Sequence, residues 1–169
     1  MKKNLVLLGM MGVGKTTIAK IVAKKSRLEF IDTDRNIEKK NSMEINQIFE
    51  KKGERFFREE EEKVTIKCLN KNECIIALGG GAFENKSIRE NVLKKSVSIW
   101  LDVSIKIIAL RTKWNNKRPL LKNNNNQKKL KELYYKRRKF YKLANHKINC
   151  DKLSKIEITK KIIDLYEKH

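Results

Sequence analysis

Gly9-Met10-Met11-Gly12-Val13-Gly14-Lys15-Thr16, directly after the apolar run Leu5-Val6-Leu7-Leu8, is the stretch that decides the fold. It has the strand, Gly-x-x-x-x-Gly-Lys-[Ser/Thr], helix order of a phosphate-binding P-loop. Each residue type answers a demand of a nucleotide polyphosphate. The glycines let the backbone close into a concave nest whose N–H groups turn inward toward anionic oxygens. The helix that begins near Lys15 brings its positive dipole end to the same point. Lys15 then reaches the β and γ phosphates, and the Thr16 hydroxyl stands where it can ligate Mg²⁺.

Outward from this loop, short apolar runs alternate with helical patterns to the end of the chain. Strands are expected at Leu5–Leu8, Leu28–Ile31, Cys74–Leu78, Val97–Leu101 and His146–Cys150. Helices are expected at Lys15–Ser26, Arg35–Lys40, Ile45–Lys51, Glu54–Asn70, Ser87–Lys95, Ser104–Lys113, Gln127–Ala144 and Ser154–Glu167. Short apolar strands bounded by Gly, Asp or Asn suit a parallel sheet covered on both faces. The alternation predicts one doubly wound α/β domain over residues 1–169, with a five-stranded parallel sheet flanked by helices. Ligands of such sheets sit outside the carboxyl ends of the strands, so residues just after strand runs are the candidates.

Several stand there. Asp32-Thr33-Asp34 ends the second strand, expected beside the P-loop strand, and alternate carboxylates of an extended turn lie on one side roughly 6–7 Å apart. One could hold Mg²⁺ through water while the other takes a hydroxyl proton; the plainer alternative is a cap on the next helix. Gly79-Gly80-Gly81 follows the third strand and lets backbone approach a ligand, or is simply a flexible turn. Arg58, in Glu54-Arg55-Phe56-Phe57-Arg58-Glu59-Glu60-Glu61-Glu62, can pair with Glu61 or Glu62 on its own helix, and the acidic run reads as a solvated face. The polar segment from Lys113 through Asn123–Asn126 has the character of a lid, expected at about residues 112–126. It carries Arg118, with Arg111 just before it, in the manner of arginines that neutralise a transferring phosphoryl group. On the helix after it, either Arg137 or Arg138 could face the cleft.

Composition narrows the partners. A chain of 169 residues buries about 70% of its unfolded surface and needs no staples. Cys68, Cys74 and Cys150 are odd in number and widely spaced, so reduced thiols and a cytoplasmic setting are expected, and two histidines make a zinc site improper to expect. Met1-Lys2-Lys3 and the apolar run imitate a secretory leader, but Gly9, Gly12 and Gly14 interrupt it and Lys15 and Lys20 follow. No run approaches the roughly 18 apolar residues of a membrane span, so no membrane partner is expected. The net charge of +21 raises nucleic acid as a partner. The lysines are nevertheless spread through nearly every segment without interleaved aromatics, so no nucleic acid is expected either.

Taken together, Gly9–Thr17, Phe30-Ile31-Asp32-Thr33-Asp34, Gly53-Glu54-Arg55-Phe56-Phe57-Arg58, Gly79-Gly80-Gly81-Ala82, Arg118-Pro119-Leu120-Leu121 and Arg137 four residues before Tyr141 resemble the shikimate kinase family. The resemblance covers nearly the whole chain. It implies a P-loop kinase fold of the nucleoside-monophosphate-kinase type with a mobile lid, a substrate-binding helical region at about 33–62, and a monomer. The implied reaction is ATP-dependent phosphorylation of the shikimate 3-hydroxyl, in aromatic amino-acid biosynthesis. Carried over, Gly12, Val13, Gly14, Lys15, Thr16 and Thr17 hold ATP, with Thr16 and Asp32 at Mg²⁺, the latter through water. Asp34 binds the substrate hydroxyls and is the candidate base. Arg58 and Arg137 clamp the carboxylate of shikimate, and Gly79, Gly80 and Gly81 line the same pocket. Arg118 closes over the phosphates, and Arg111 lies beside the adenine. The nearest rivals are a small P-loop kinase for gluconate or a nucleotide, and a basic nucleic-acid-binding P-loop protein.

Overall fold

A computed structural model describes residues 3–112 and 126–169. In chain order the elements are β1 (Asn4–Leu8), α1 (Lys15–Ser26), β2 (Glu29–Asp32), α2 (Thr33–Asn41), α3 (Ile45–Leu69) and β3 (Cys74–Ala77). A 3₁₀ turn (Ala82–Glu84) leads to α4 (Lys86–Lys95), β4 (Ser96–Asp102), α5 (Ile105–Thr112), α6 (Asn126–Tyr141), β5 (His146–Asn149) and α7 (Lys155–Tyr166). The sheet is parallel throughout, in the order β2-β3-β1-β4-β5.

That order corrects one expectation: β2 does not lie beside β1, because β3 is inserted between them. The burial of each strand follows its position. β1, β3 and β4 are buried along their whole length, as strands covered by helices on both faces must be. The edge strands bury only part of themselves and carry Glu29 and Lys147, charges that discourage further strand pairing. Core residues such as Leu5, Leu7, Ile75, Ile76 and Ile99 are fully buried, each worth about 1.5–3 kcal/mol of transfer free energy. Asn4 is the one polar side chain of β1 in this core, and it is satisfied. Its amide donates to Leu69 O and Lys71 O, and its carbonyl accepts from Cys74 N, which fixes where β3 enters the sheet.

Two helix boundaries shape the site. α2 starts at Thr33 rather than Arg35, so Asp32-Thr33-Asp34 is a helix start and not an extended turn. α3 joins the two helices expected at Ile45–Lys51 and Glu54–Asn70 through Gly53, whose φ of 81° and ψ of 167° interrupt the helical path. A side chain would be strained at that φ, whereas glycine turns there freely. The bend brings the Phe49 and Phe57 rings to a centroid distance of 4.7 Å and turns Arg58 toward the strand ends. At the far end of the chain, Ser154 and Glu157 form a reciprocal cap on α7: Glu157 N donates to Ser154 Oγ and Ser154 N to Glu157 Oε2. Among the described residues no helix is long and apolar enough to cross a membrane.

Candidate functional site

The carboxyl ends of β1, β2 and β3 converge on one cleft. After β1 the chain turns through Gly9, Gly12 and Gly14, all at positive φ, and Gly14 caps α1. Lys15 crosses back over this loop, its ammonium donating to Gly9 O at 2.7 Å and Met10 O at 3.0 Å. Beside it the Thr16 hydroxyl donates to Asp32 Oδ2 at 2.7 Å. The other Asp32 oxygen accepts from Arg35 N at 3.3 Å, so Asp32 is both the cap of α2 and a partner of the P-loop helix. The two readings of this residue are therefore compatible. Arg111 approaches the same loop from α5 and donates to Val13 O at 3.4 Å.

Gly79-Gly80-Gly81 forms the floor between two charged pairs. A Cβ on Gly79 would lie 2.7 Å from Asp34 Oδ1 and 2.8 Å from Glu61 Oε1, so two carboxylates meet at this residue. A Cβ on Gly81 would lie 2.7 Å from an Arg58 terminal nitrogen and 2.9 Å from one of Arg137, so two guanidinium groups meet there. No other residue type fits at either position without displacing these groups. The turn is pinned from both sides: Gly79 N donates to Thr33 Oγ1 at 2.9 Å, and the Tyr141 hydroxyl donates to Gly80 O. Arg137 and Tyr141 are one helical turn apart, which puts both on the inner face of α6. Arg138 points elsewhere, toward the Trp100 and Tyr134 rings and Asp102. Arg118 and the lid expected at 112–126 lie outside the described residues, the end positions Thr112 and Asn126 apart.

Glu61 was not among the sequence candidates, and the solvated face expected for the acidic run is wrong for Glu60 and Glu61, which are buried. The signal was in the spacing. Phe57, Glu61, Val64 and Cys68 recur at helical intervals on the buried stripe of α3. Arg58 donates to Glu61 Oε2 at 2.6 Å and to Glu54 Oε1 at 3.2 Å. Burial pushes the Glu61 carboxyl up to about 7 against the pull of Arg58, and the nearby Asp34 charge adds to the rise.

An acid whose pKa rises on folding favours the fold in its protonated form. Its contribution is complete below the unfolded value of 4.5 and is lost as pH climbs through about 7. The wild type should therefore lose stability relative to Glu61→Gln across that window, on the order of 3 kcal/mol. Paired thermal melts from pH 4 to 8 check this, and parallel curves would refute the buried-acid account.

For a metal, the donor set fits Mg²⁺: one hydroxyl and one carboxylate, hard oxygens side by side at the mouth of the phosphate loop. Among the described residues no group of three or more His, Cys, Asp and Glu is arranged to hold an ion. Mg²⁺ shared with phosphates and water does not require such a cage.

Comparison with known proteins adds a family to this geometry. A family model described as shikimate kinase matches residues 11–167. A shikimate kinase from Sulfurihydrogenibium sp. (strain YO3AOP1) is 40% identical over 161 residues, covering 95% of this chain and 96% of that protein. Among solved structures, the shikimate kinase from Acinetobacter baumannii in complex with shikimate superposes with a TM-score of 0.95 at 31% identity, covering 99% of this chain and 94% of the other. A deoxyadenosine kinase from M. mycoides has a TM-score of 0.67 at 15% identity and 98% coverage of both chains, a likeness of fold alone.

Proposed function

The chain belongs to the shikimate kinase family, and on that premise we propose how its own residues divide the transfer of the γ-phosphoryl group of ATP to the 3-hydroxyl of shikimate. The observation that carries the assignment is the sorting of charge along one glycine turn. Carboxylates gather at Gly79 and guanidinium groups at Gly81, beside the phosphate loop. An acceptor with hydroxyls at one end and a carboxylate at the other matches that sorting. A guanidinium offers a planar fork to a carboxylate, which an ammonium does not.

In this reading Gly12–Thr17 cradle the ATP phosphates, and Lys15 exchanges its two carbonyl partners for phosphate oxygens. Mg²⁺, held near Thr16 and Asp32, would neutralise charge on the β and γ phosphates. Asp34 orients the 3-hydroxyl and takes its proton as the oxygen bonds to γ-phosphorus and the bond to the bridging oxygen of ADP breaks. Arg58 and Arg137 hold the shikimate carboxylate, with Gly79, Gly80 and Gly81 as the close wall. Arg111 lies on the adenine side, supported by its contact with Val13 O. Arg118, on a lid at 112–126, closes over the phosphates; that role rests on the family resemblance. The region 33–62, which contributes Asp34, Arg58 and Glu61, forms the acceptor half.

The same reading takes the enzyme as a cytoplasmic monomer with no nucleic-acid or membrane partner. Its support is the free, buried state of Cys68, Cys74 and Cys150 and the spread of lysines over α1, α4, α6 and α7. The rival acceptors are separated by one assay. ADP release should depend on shikimate in a panel that includes gluconate and nucleoside monophosphates; turnover on another acceptor without shikimate turnover would sink the assignment. Arg58→Ala should then raise the KM for shikimate at least about tenfold and leave the KM for ATP within about twofold, since a charge-assisted pair is worth about 1.5–3 kcal/mol. Equal loss toward both substrates would put the carboxylate clamp in error.

A further inference from the structure

The two arginines at Gly81 are held in different ways. Arg58 is gripped at its tip: both terminal nitrogens donate to carboxylates of its own helix, Glu61 and Glu54. Arg137 is gripped at its side. Its Nε donates to Glu84 Oε1 at 2.8 Å, and the terminal nitrogens lie over Gly80 and Gly81. Among the described residues, no ion pair engages that terminal fork. Glu84 is the last residue of the 3₁₀ turn that begins at Ala82, directly after the triple glycine. Its other oxygen accepts from Lys136 at 2.8 Å on the outer side of α6.

The turn that carries Glu84 is itself fixed. Arg89 donates to Phe83 O and Glu84 O, both at 3.0 Å, and its guanidinium stacks over the Phe140 ring of α6. Phe83 is fully buried beneath it. Glu84 thus stands on a braced turn, between a buried arginine of the cleft and an exposed lysine outside it. Burial would push its carboxyl up, but the hydrogen bonds from Lys136 and Arg137 outweigh burial and hold it below the usual carboxylate range.

We propose that Glu84 is a positioning residue for the acceptor site: by taking the Nε edge of Arg137 it fixes the guanidinium so that the terminal fork faces the substrate carboxylate. The inference rests on the reading that Arg137 receives that carboxylate. It divides the clamp into a preset half and an exchanging half. Arg137 keeps Glu84 when substrate docks, whereas Arg58 has to share or release its helix partners.

Two effects of removing Glu84 oppose each other, and their sign decides the matter. A carboxylate near an anionic substrate repels it, so its loss by charge alone would tighten binding. Lys136 already offsets most of that charge, whereas nothing else among the described residues holds the Arg137 side edge. Loss of orientation should win. Glu84→Ala is expected to raise the KM for shikimate about tenfold or more, the scale of one charge-assisted hydrogen bond. The kcat and the KM for ATP should stay within about threefold, and Glu84→Gln, which keeps the shape and one acceptor, should fall between.

The test is a double-mutant cycle of Glu84→Ala and Arg137→Ala in the full chain, read as shikimate KM, ATP KM and thermal melting, with Glu84→Gln replacing the alanine variant if that variant does not fold. If Glu84 acts through Arg137, the double variant is no worse than Arg137→Ala alone. An unchanged or lowered shikimate KM in both Glu84 variants would overturn the proposal, and so would single losses that simply multiply. A normal shikimate KM in Arg137→Ala would instead overturn the clamp on which the proposal stands.

Discussion

Lys15→Ala is expected to lower kcat/KM by at least about a thousandfold, because in the proposed division of the site its ammonium is a protein charge aimed at the transferring group. Its position argues for a clean loss. The side chain already lies across the loop on Gly9 O and Met10 O, partners it gives up when phosphate oxygens take the ammonium. The same bonds predict a small structural effect, about 1 kcal/mol, or a few degrees in the melting temperature. Steady-state kinetics with a coupled ADP assay and a thermal melt check both parts. Retained turnover within tenfold of wild type would remove Lys15 from the transfer step, and a collapse of the melt would assign it to the fold instead.

Asp34→Asn should cost about a hundredfold in kcat with the KM for ATP nearly unchanged. The substitution keeps size and shape beside Gly79, where a larger residue would collide. It removes the negative charge and with it the capacity to take a proton. Two considerations hold the loss toward the low end of what general bases contribute. A loose phosphoryl transfer needs little early deprotonation of the attacking hydroxyl. Glu61, a second carboxylate with its pKa near neutrality, stands at the same glycine. A loss below fivefold would show that Asp34 orients the acceptor without serving as its base.

How much of this was open to inspection in the chain itself depends on the range of the interaction. β1, β3 and β4 announce themselves because a strand buried on both faces reads as a largely apolar run, broken here only by Asn4 in β1 and by Ser96, Ser98 and Asp102 in β4. The insertion of β3 between β1 and β2 has no such signature, since strand order is set by how helices pack across the sheet. Gly53 marks a break that the sequence shows and the structure keeps, since the backbone there leaves the helical path. In the site, the phosphate loop and the triple glycine are local patterns and were legible. Choosing between Arg137 and Arg138 required a helical register: the spacing to Tyr141 favours Arg137, and the structure puts Arg137 at Gly81 and Arg138 at Trp100. Glu61 was hidden by its neighbours: a run of four glutamates looks solvated until Phe57, Val64 and Cys68 fix which face is inward. Glu84 had no signal at all, because its partner is 53 residues away.

Asp32 joins matters that the sequence keeps apart. One of its oxygens takes the Thr16 hydroxyl of the nucleotide side, and the other caps the helix whose second residue is Asp34 on the acceptor side. A single carboxylate thus links the P-loop helix to the start of α2, which carries Asp34. Whatever free energy the arrival of one substrate transmits through that group to the other must be returned in the opposite direction in equal measure, because equilibrium linkage is reciprocal. Under the proposed division of the cleft, any coupling carried through Asp32 would change the Kd of each substrate by the same factor when the other is bound.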